Sequence, residues 1–315
     1  MNSLLKILDY VFLTRPVLFI PGWNTLLAGF LVSREQGMFE FFLKDIFPSD
    51  MWHFCLVFCS FTLAMAGSFV FNQLQDIDSD RKNNKLLLFS DNHISVRSGY
   101  WTAFILSGLS LLFAALNGTA LLAVILVFLL ITAYSYNYPP FILKNRPVGG
   151  ALSNIAMGAL AFACGWIAED VLNLSIVLQM LPFLFFNTLL YLLTTLPDRI
   201  GDQMSGKRTV AVQLGVRKTL LLAGILFIPA LSLSIGLKSI LTVVIVIFFP
   251  FLLYMLIQQT AKAGFTVCKT GILLFTILIA LFFPVYAVLP LLIFSVSRFY
   301  YRKRFDLEYP NLKGQ

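Results

Sequence analysis

Phe71-Asn72-Gln73-Leu74-Gln75-Asp76-Ile77-Asp78-Ser79-Asp80-Arg81-Lys82-Asn83-Asn84-Lys85 decides how the chain is read. An apolar run from Met51 to Phe71 drives straight into this acidic stretch. Within it Asn72, Asp76 and Asp80 recur every four residues. A continuing helix stacks the three side chains on one face, over about 12 Å of axis. Carboxylates at the end of so apolar a helix need cationic company, because each costs roughly 2.5–3.5 kcal/mol at a bilayer centre and less toward the ends. A hard divalent cation such as Mg²⁺ is the natural partner, and it usually binds through one or two carboxylates plus phosphate oxygens.

Working outward, the 315-residue chain is 59% hydrophobic, only 12% charged, and holds 32 Phe. A water-soluble fold of this length cannot hide that much apolar surface, so the expectation is an all-α polytopic membrane protein forming one bundle around a central cavity. Nine segments approach spanning length, near 16–33, 51–75, 100–117, 119–136, 147–168, 174–196, 218–236, 239–259 and 271–296. Residues 1–15 read as an interfacial amphipathic lead-in, residues 298–315 as a polar tail, and the whole chain as a single transmembrane domain. The net charge of +8 does not point to nucleic acid, since the basic residues sit in short loops between apolar runs. With the N-terminus on the cytoplasmic side, inner loops carry fifteen Lys and Arg, against Arg34, Lys44 and Lys238 on outer loops. Nine crossings then put the basic tail 298–304 outside, following the earlier helices despite its charge.

Everything chemically rich gathers on the inner side. The second inner loop reads Tyr136-Asn137-Tyr138-Pro139-Pro140-Phe141-Ile142-Leu143-Lys144-Asn145-Arg146. The third carries Asp198-Arg199-Ile200-Gly201-Asp202 and then Ser205-Gly206-Lys207-Arg208-Thr209. Asp198 and Asp202 repeat the four-residue spacing of the first cluster. One acidic pair follows the second span and the other follows the sixth, an internal offset that suggests a pseudo-repeat joining two acidic helix ends. Two facing carboxylate clusters suit one or two Mg²⁺ ions clamping a diphosphate, with Lys144, Arg146, Lys207 and Arg208 neutralising the remaining phosphate charge. Metal-assisted departure of diphosphate from an allylic carbon leaves a carbocation that aromatic faces can stabilise without trapping it. No Ser/His/Asp triad competes with this chemistry.

Other groups receive plainer readings. Asp78 points to a different helix face from Asp76 and Asp80 and is expected to be solvated. Cys55, Cys59, Cys164 and Cys268 lack metal spacing and read as small buried hydrophobes. His53 and His93 lack partner spacing, and Trp52, Trp101, Tyr300 and Tyr301 read as interfacial belt residues.

The combination of motifs resembles the UbiA-type intramembrane prenyltransferases over nearly the whole chain. The matching pieces are Asn72-xxx-Asp76-xxx-Asp80, Tyr136-xx-Pro139-Pro140-xxx-Lys144, Asp198-xxx-Asp202, Gly206-Lys207-Arg208-Thr209, Ile94-Ser95 and Thr14-Arg15-Pro16. The resemblance implies nine helices in a ring, a cavity open to the cytoplasmic side, and Mg²⁺-dependent transfer of a prenyl group from an isoprenyl diphosphate to a small lipophilic acceptor. It implies Asp76, Asp80, Asp198 and Asp202 as metal-binding and catalytic residues, and Asn72, Tyr136, Lys144, Arg146, Lys207 and Arg208 as substrate-binding residues. The Tyr-xx-Pro-Pro-xxx-Lys loop is most similar to members acting on homogentisate or on chlorophyllide-like acceptors, and the acceptor expected is aromatic or a quinone precursor. One departure stands out: the Arg expected after the first cluster falls on Leu87, leaving Lys82 or Lys85 to replace it. Two other classes fit the composition, an ion-coupled transporter and a non-catalytic lipid-binding relative. Transporters place binding carboxylates at broken helices near the midplane, whereas these lie at helix ends beside basic loops.

Overall fold

A lead-in helix, a sharp turn and a long apolar helix open the chain in the computed structural model, which describes residues 3–34, 50–82, 88–89 and 93–310. Lys44, Lys85, Leu87 and Asn92, and the side chain of Lys82, lie outside the described residues. The helices are α1 (Ser3–Leu13), α2 (Phe19–Ser33), α3 (Met51–Lys82), α4 (Val96–Asn117) and α5 (Thr119–Leu129). There follow α6 (Pro147–Ile167), α7 (Ser175–Thr194), α8 (Arg199–Met204), α9 (Val210–Gly236), α10 (Leu241–Gln258), α11 (Ala261–Phe282) and α12 (Val288–Phe305). No strand occurs among the described residues.

Nine of the described helices are long and apolar enough to cross a membrane, and Thr119–Ser135 is a shorter apolar one. The first eight expected spans each fall on one helix, α3 running on to Lys82 and α4 starting at Val96. The ninth, 271–296, is two helices: α11 stops at Phe282, a 3-10 turn covers Pro284–Ala287, and α12 continues to Phe305. Pro284 lacks the amide that would continue α11, and the chain turns there.

That extra helix moves the tail. Tyr300 donates to Asp9 Oδ1 at 2.6 Å, and Arg304 holds both oxygens of Asp9 at 3.1 Å. Arg304 also contacts His93 Nδ1 at 3.0 Å, and Phe12 stacks on Tyr300 at 4.0 Å. The basic end of α12 therefore sits at the same end of the bundle as α1 and the α3–α4 connection. This corrects the expectation of a tail on the opposite side, since ten apolar segments in alternation bring the chain back to its starting end. It also corrects Tyr300, which is fully buried against α1, whereas Trp52 and Trp101 stand exposed at 70% and 61% as belt residues do. Cys164 and Cys268 are buried as expected, but Cys55 and Cys59 face outward on α3.

Two close contacts fix the helices that frame the site. A side chain added at Gly29 would overlap the Phe162 carbonyl, and one at Gly165 would overlap that of Leu26. Glycine at both positions lets α2 and α6 touch backbone to backbone, the small-residue packing that membrane helices use in place of a hydrophobic driving force. On the other side, Ser60 and Ser110 donate to each other's carbonyls at 2.8 and 2.7 Å, pinning α3 to α4.

Arg304→Met would strand Asp9, which is 1% exposed, without its charge partner. The expected loss of stability is on the order of 3–5 kcal/mol, read as a lowered unfolding temperature in detergent. Arg304→Lys is expected to recover part of it.

Candidate functional site

The site grows from the last three turns of α3. Because α3 runs unbroken to Lys82, Asn72, Asp76 and Asp80 stay on one face, as their spacing requires. Asp76 and Asp80 are buried, while Asp78 on another face is exposed, as expected.

Two loops converge on Asp76. The first leaves α5 through a π-helical turn, Leu130–Ser135. Asn137 ties off that turn by donating to the Thr132 and Ala133 carbonyls at 2.8 and 3.2 Å. Its carboxamide oxygen accepts from Asn72 at 2.9 Å and from Lys144 at 3.1 Å. Ile142 takes the left-handed conformation, φ 42°, a strained state for a β-branched residue. The turn it makes brings Lys144 Nζ to 2.9 Å from Asp76 Oδ1.

The second loop follows α8. Gly206, at φ 74°, ends α8 with its amide on the Gln203 carbonyl, and the Lys207 amide bonds the Asp202 carbonyl at 2.9 Å. This Schellman closure aims Lys207 Nζ at Asp76 Oδ1, also at 2.9 Å. The Arg208 amide donates to the Asn145 carbonyl, so the two loops also touch each other.

One carboxylate oxygen thus takes two ammonium groups, and Asp76, Lys144 and Lys207 are each at most 15% exposed. Burial pushes the Lys144 ammonium below its ordinary range, opposed by the neighbouring Asp76. Tyr136 is pushed up, first by burial and then by Tyr191, Asp76 and Asp202 around it. It remains a hydroxyl donor and marks the place where the two acidic segments meet.

The second acidic pair is built differently from the first. α7 ends at Thr194, and Asp198 precedes a separate short helix, α8, without a side-chain cap bond to it; α8 carries Asp202 on its first turn. Asp202 is buried and Asp198 half-buried. Asn72, Lys144 and Lys207 join Asp76 in one network through Asn137 and the shared carboxylate, and Tyr136 feels the charges of both Asp76 and Asp202. Arg146 and Arg208 are exposed at the rim.

Three participants escaped the sequence reading as site residues. Arg15 donates to Asp80 at 3.3 Å, supplying a cation to the first cluster from the far end of the chain. Its signal was the Thr14-Arg15-Pro16 turn, where Arg15 is left-handed at φ 52°. Asn137 carried no charge to draw attention, and Tyr191 sits inside an apolar helix. His93 is engaged by Arg304.

The donor set suits a hard cation, being carboxylate and carboxamide oxygen. Among the described residues no three His, Cys, Asp or Glu side chains form a metal cage by themselves. Two carboxylate pairs leave coordination positions for phosphate oxygens and water, which is how Mg²⁺ is usually held.

Asp76→Asn would leave Lys144 and Lys207 facing each other with little solvent. Combining it with Lys144→Met in a double-mutant cycle is expected to give a coupling of about 2 kcal/mol or more, measured from unfolding midpoints.

Known proteins share this fold. The model of the UbiA prenyltransferase family matches residues 25–268. A digeranylgeranylglyceryl phosphate synthase from Saccharolobus solfataricus is 27% identical over 252 residues, covering 78% of this chain and 84% of that protein. The structure of a UbiA homolog from Archaeoglobus fulgidus bound to DMAPP and Mg²⁺ superposes with a TM-score of 0.66 at 23% identity, covering 89% of this chain and 99% of that one. A structure of digeranylgeranylglyceryl phosphate synthase gives 0.64 at 20% identity, over 90% and 99% of the two chains. The structural likeness establishes the fold, the family match spans most of the sequence, and the chain belongs to the UbiA prenyltransferase family.

Proposed function

We propose that this protein transfers a prenyl group from an isoprenyl diphosphate to a small lipophilic acceptor within the membrane, with Mg²⁺ as cofactor. The observation that carries the reading is the meeting of Asp76 with Lys144 and Lys207, which joins the first acidic motif to the loop after the second. The Archaeoglobus fulgidus homolog has been solved with DMAPP and with GPP, each with Mg²⁺.

Asp76, Asp80, Asp198 and Asp202, with Asn72, would hold the metal and its diphosphate. The ion supplies positive charge to the departing diphosphate. Beyond those given to Asp76 and Asn137, Lys144 keeps one ammonium hydrogen, and beyond the one given to Asp76 Lys207 keeps two; these suit phosphate oxygens. Arg146 and Arg208 at the exposed rim draw the anionic donor in. Tyr136, kept as a hydroxyl, adds a donor between the two acidic segments.

In the transfer, the allylic carbon–oxygen bond breaks to leave an allylic cation, and the acceptor atom then bonds the allylic carbon. The electron pair leaves with diphosphate, and the acceptor's proton passes to a carboxylate or to diphosphate. The excess of Lys and Arg on loops at this end supports placing it on the cytoplasmic side.

The Tyr-xx-Pro-Pro-xxx-Lys loop favours an aromatic or quinone-precursor acceptor. The name of the Saccharolobus relative favours a second class, a glycerol phosphate that already bears one prenyl chain. Purified protein in nanodiscs, given radiolabelled geranylgeranyl diphosphate with homogentisate or geranylgeranylglyceryl phosphate, separates the two. Excess chelator is expected to abolish transfer, and Mg²⁺ to restore it. Asp198→Asn and Asp202→Asn are each expected to lower kcat at least 100-fold with the protein still inserted. Normal rates in chelator would contradict the metal role, and normal rates in either variant would remove that residue from the site.

A further inference from the structure

Five asparagines lie in the membrane-length helices, and four have partners. Asn24 bonds Thr276 and Tyr286, Asn72 bonds Asn137, Asn117 bonds His53, and Asn187 bonds Thr25. Asn154 on α6 is the exception: its carboxamide oxygen is buried and has no hydrogen-bond partner. A buried amide oxygen without a partner inside a membrane helix is expensive, and polar residues facing a bundle's interior are candidates for a substrate path.

Its position says what it faces. On the same face of α6, Gly150 lies against the Tyr191 hydroxyl, and Gly158 lies beside Asn187 and Leu184. Asn154 falls midway between them, one turn or about 6 Å farther from the loops than Gly150. Tyr191 in turn neighbours Tyr136 and Asp202. A short polar track therefore runs from the acidic site along the α6–α7 seam, through Tyr191, to Asn154 and Asn187. Asn154, Asn187 and Tyr191 are each only partly covered by protein.

We propose that Asn154 is the hydrogen-bonding contact for the polar end of the prenyl acceptor, a hydroxyl at or beside the attacking atom, with Tyr191 and Asn187 flanking it. The inference rests on the prenyl-transfer reading above. The donor offers nothing else for a carboxamide at this depth: its diphosphate belongs with Lys144 and Lys207, and the rest of it is hydrocarbon. A carboxamide both donates and accepts, so it orients a hydroxyl without taking its proton. A site built to bond a hydroxyl discriminates strongly against acceptors that lack one.

The test compares wild type with Asn154→Leu, of similar volume, and Asn154→Gln, which keeps the amide. Homogentisate and geranylgeranylglyceryl phosphate serve as acceptor probes, and binding of radiolabelled geranyl diphosphate with Mg²⁺ is measured separately. Asn154→Leu is expected to raise the acceptor KM at least tenfold, leave donor affinity within twofold, and retain the wild-type unfolding temperature. Asn154→Gln is expected to recover part of the loss. An acceptor KM within twofold of wild type in Asn154→Leu overturns the subsite alone, as does a parallel loss of donor affinity. Wild-type protein that transfers to neither probe overturns the acceptor classes on which the subsite rests, whatever the variants do.

Discussion

Asp76 Oδ1 accepts from two lysines that arrive from different parts of the chain, and the site's organisation depends on that shared oxygen. Lys144 comes from the turn between α5 and α6, and Lys207 from the turn after α8. Tyr138 packs the first loop against Phe71, whereas the loop after α8 is mostly polar. A buried carboxylate at the end of α3 gives both a common anchor, and the low local dielectric makes each contact stronger than it would be in water. Ion pairs of this kind add little net stability, because desolvating three charges offsets much of their attraction. Their effect is to define one arrangement: displacing either loop leaves an ammonium group or a carboxylate buried without its partner.

The scaffold supports this with a long unbroken α3 and with several of its irregular backbone positions placed around the site. α3 carries its polar face as an extension of a membrane-length helix, so packing against α4 sets the height and direction of Asp76 and Asp80. Departures from regular helix cluster nearby: the π turn at Leu130–Ser135, left-handed Arg15 and Ile142, and Gly206 closing α8. Non-helical backbone at membrane depth is tolerated only where it is covered by protein or lines an internal cavity. A second polar cluster, Asp9 with Tyr300 and Arg304, binds α1 to α12 beside His93. It brings α12 to the same end of the bundle as Arg15, the residue that supplies Asp80 with its cation.

Much of this was legible in the residues. Apolar run length located the helices, because the bilayer sets how long a spanning helix must be. The four-residue spacing placed Asn72, Asp76 and Asp80 on one face, and Lys207, just after the second acidic pair, stood out as a cation for phosphate. What was not legible was contact between distant segments of ordinary composition. Arg15 reaches across 65 positions to Asp80, and Arg304 across 295 to Asp9. Tyr300 has the composition of a belt residue and is buried because Phe12 stacks on it. Two prolines inside 271–296 looked like a single irregular helix, since proline is tolerated in membranes when neighbours satisfy the freed backbone groups.

By itself the sequence determined the all-helical membrane architecture, the family, and the two acidic motifs with their basic loops. Each of these rests on short-range spacing: the helical period, the bilayer's thickness, and the order of charges along the chain. Only the tertiary structure decided that Lys144 and Lys207 share one oxygen of Asp76, and that Arg15 serves Asp80. It alone decided that the tail turns back to the starting end, and that the Asn154 carboxamide oxygen is left without a partner while the other asparagines of the membrane-length helices have one. These are properties of how helices meet in three dimensions, where the cost of an unpaired buried charge or amide selects one arrangement from many that the same local pattern would allow.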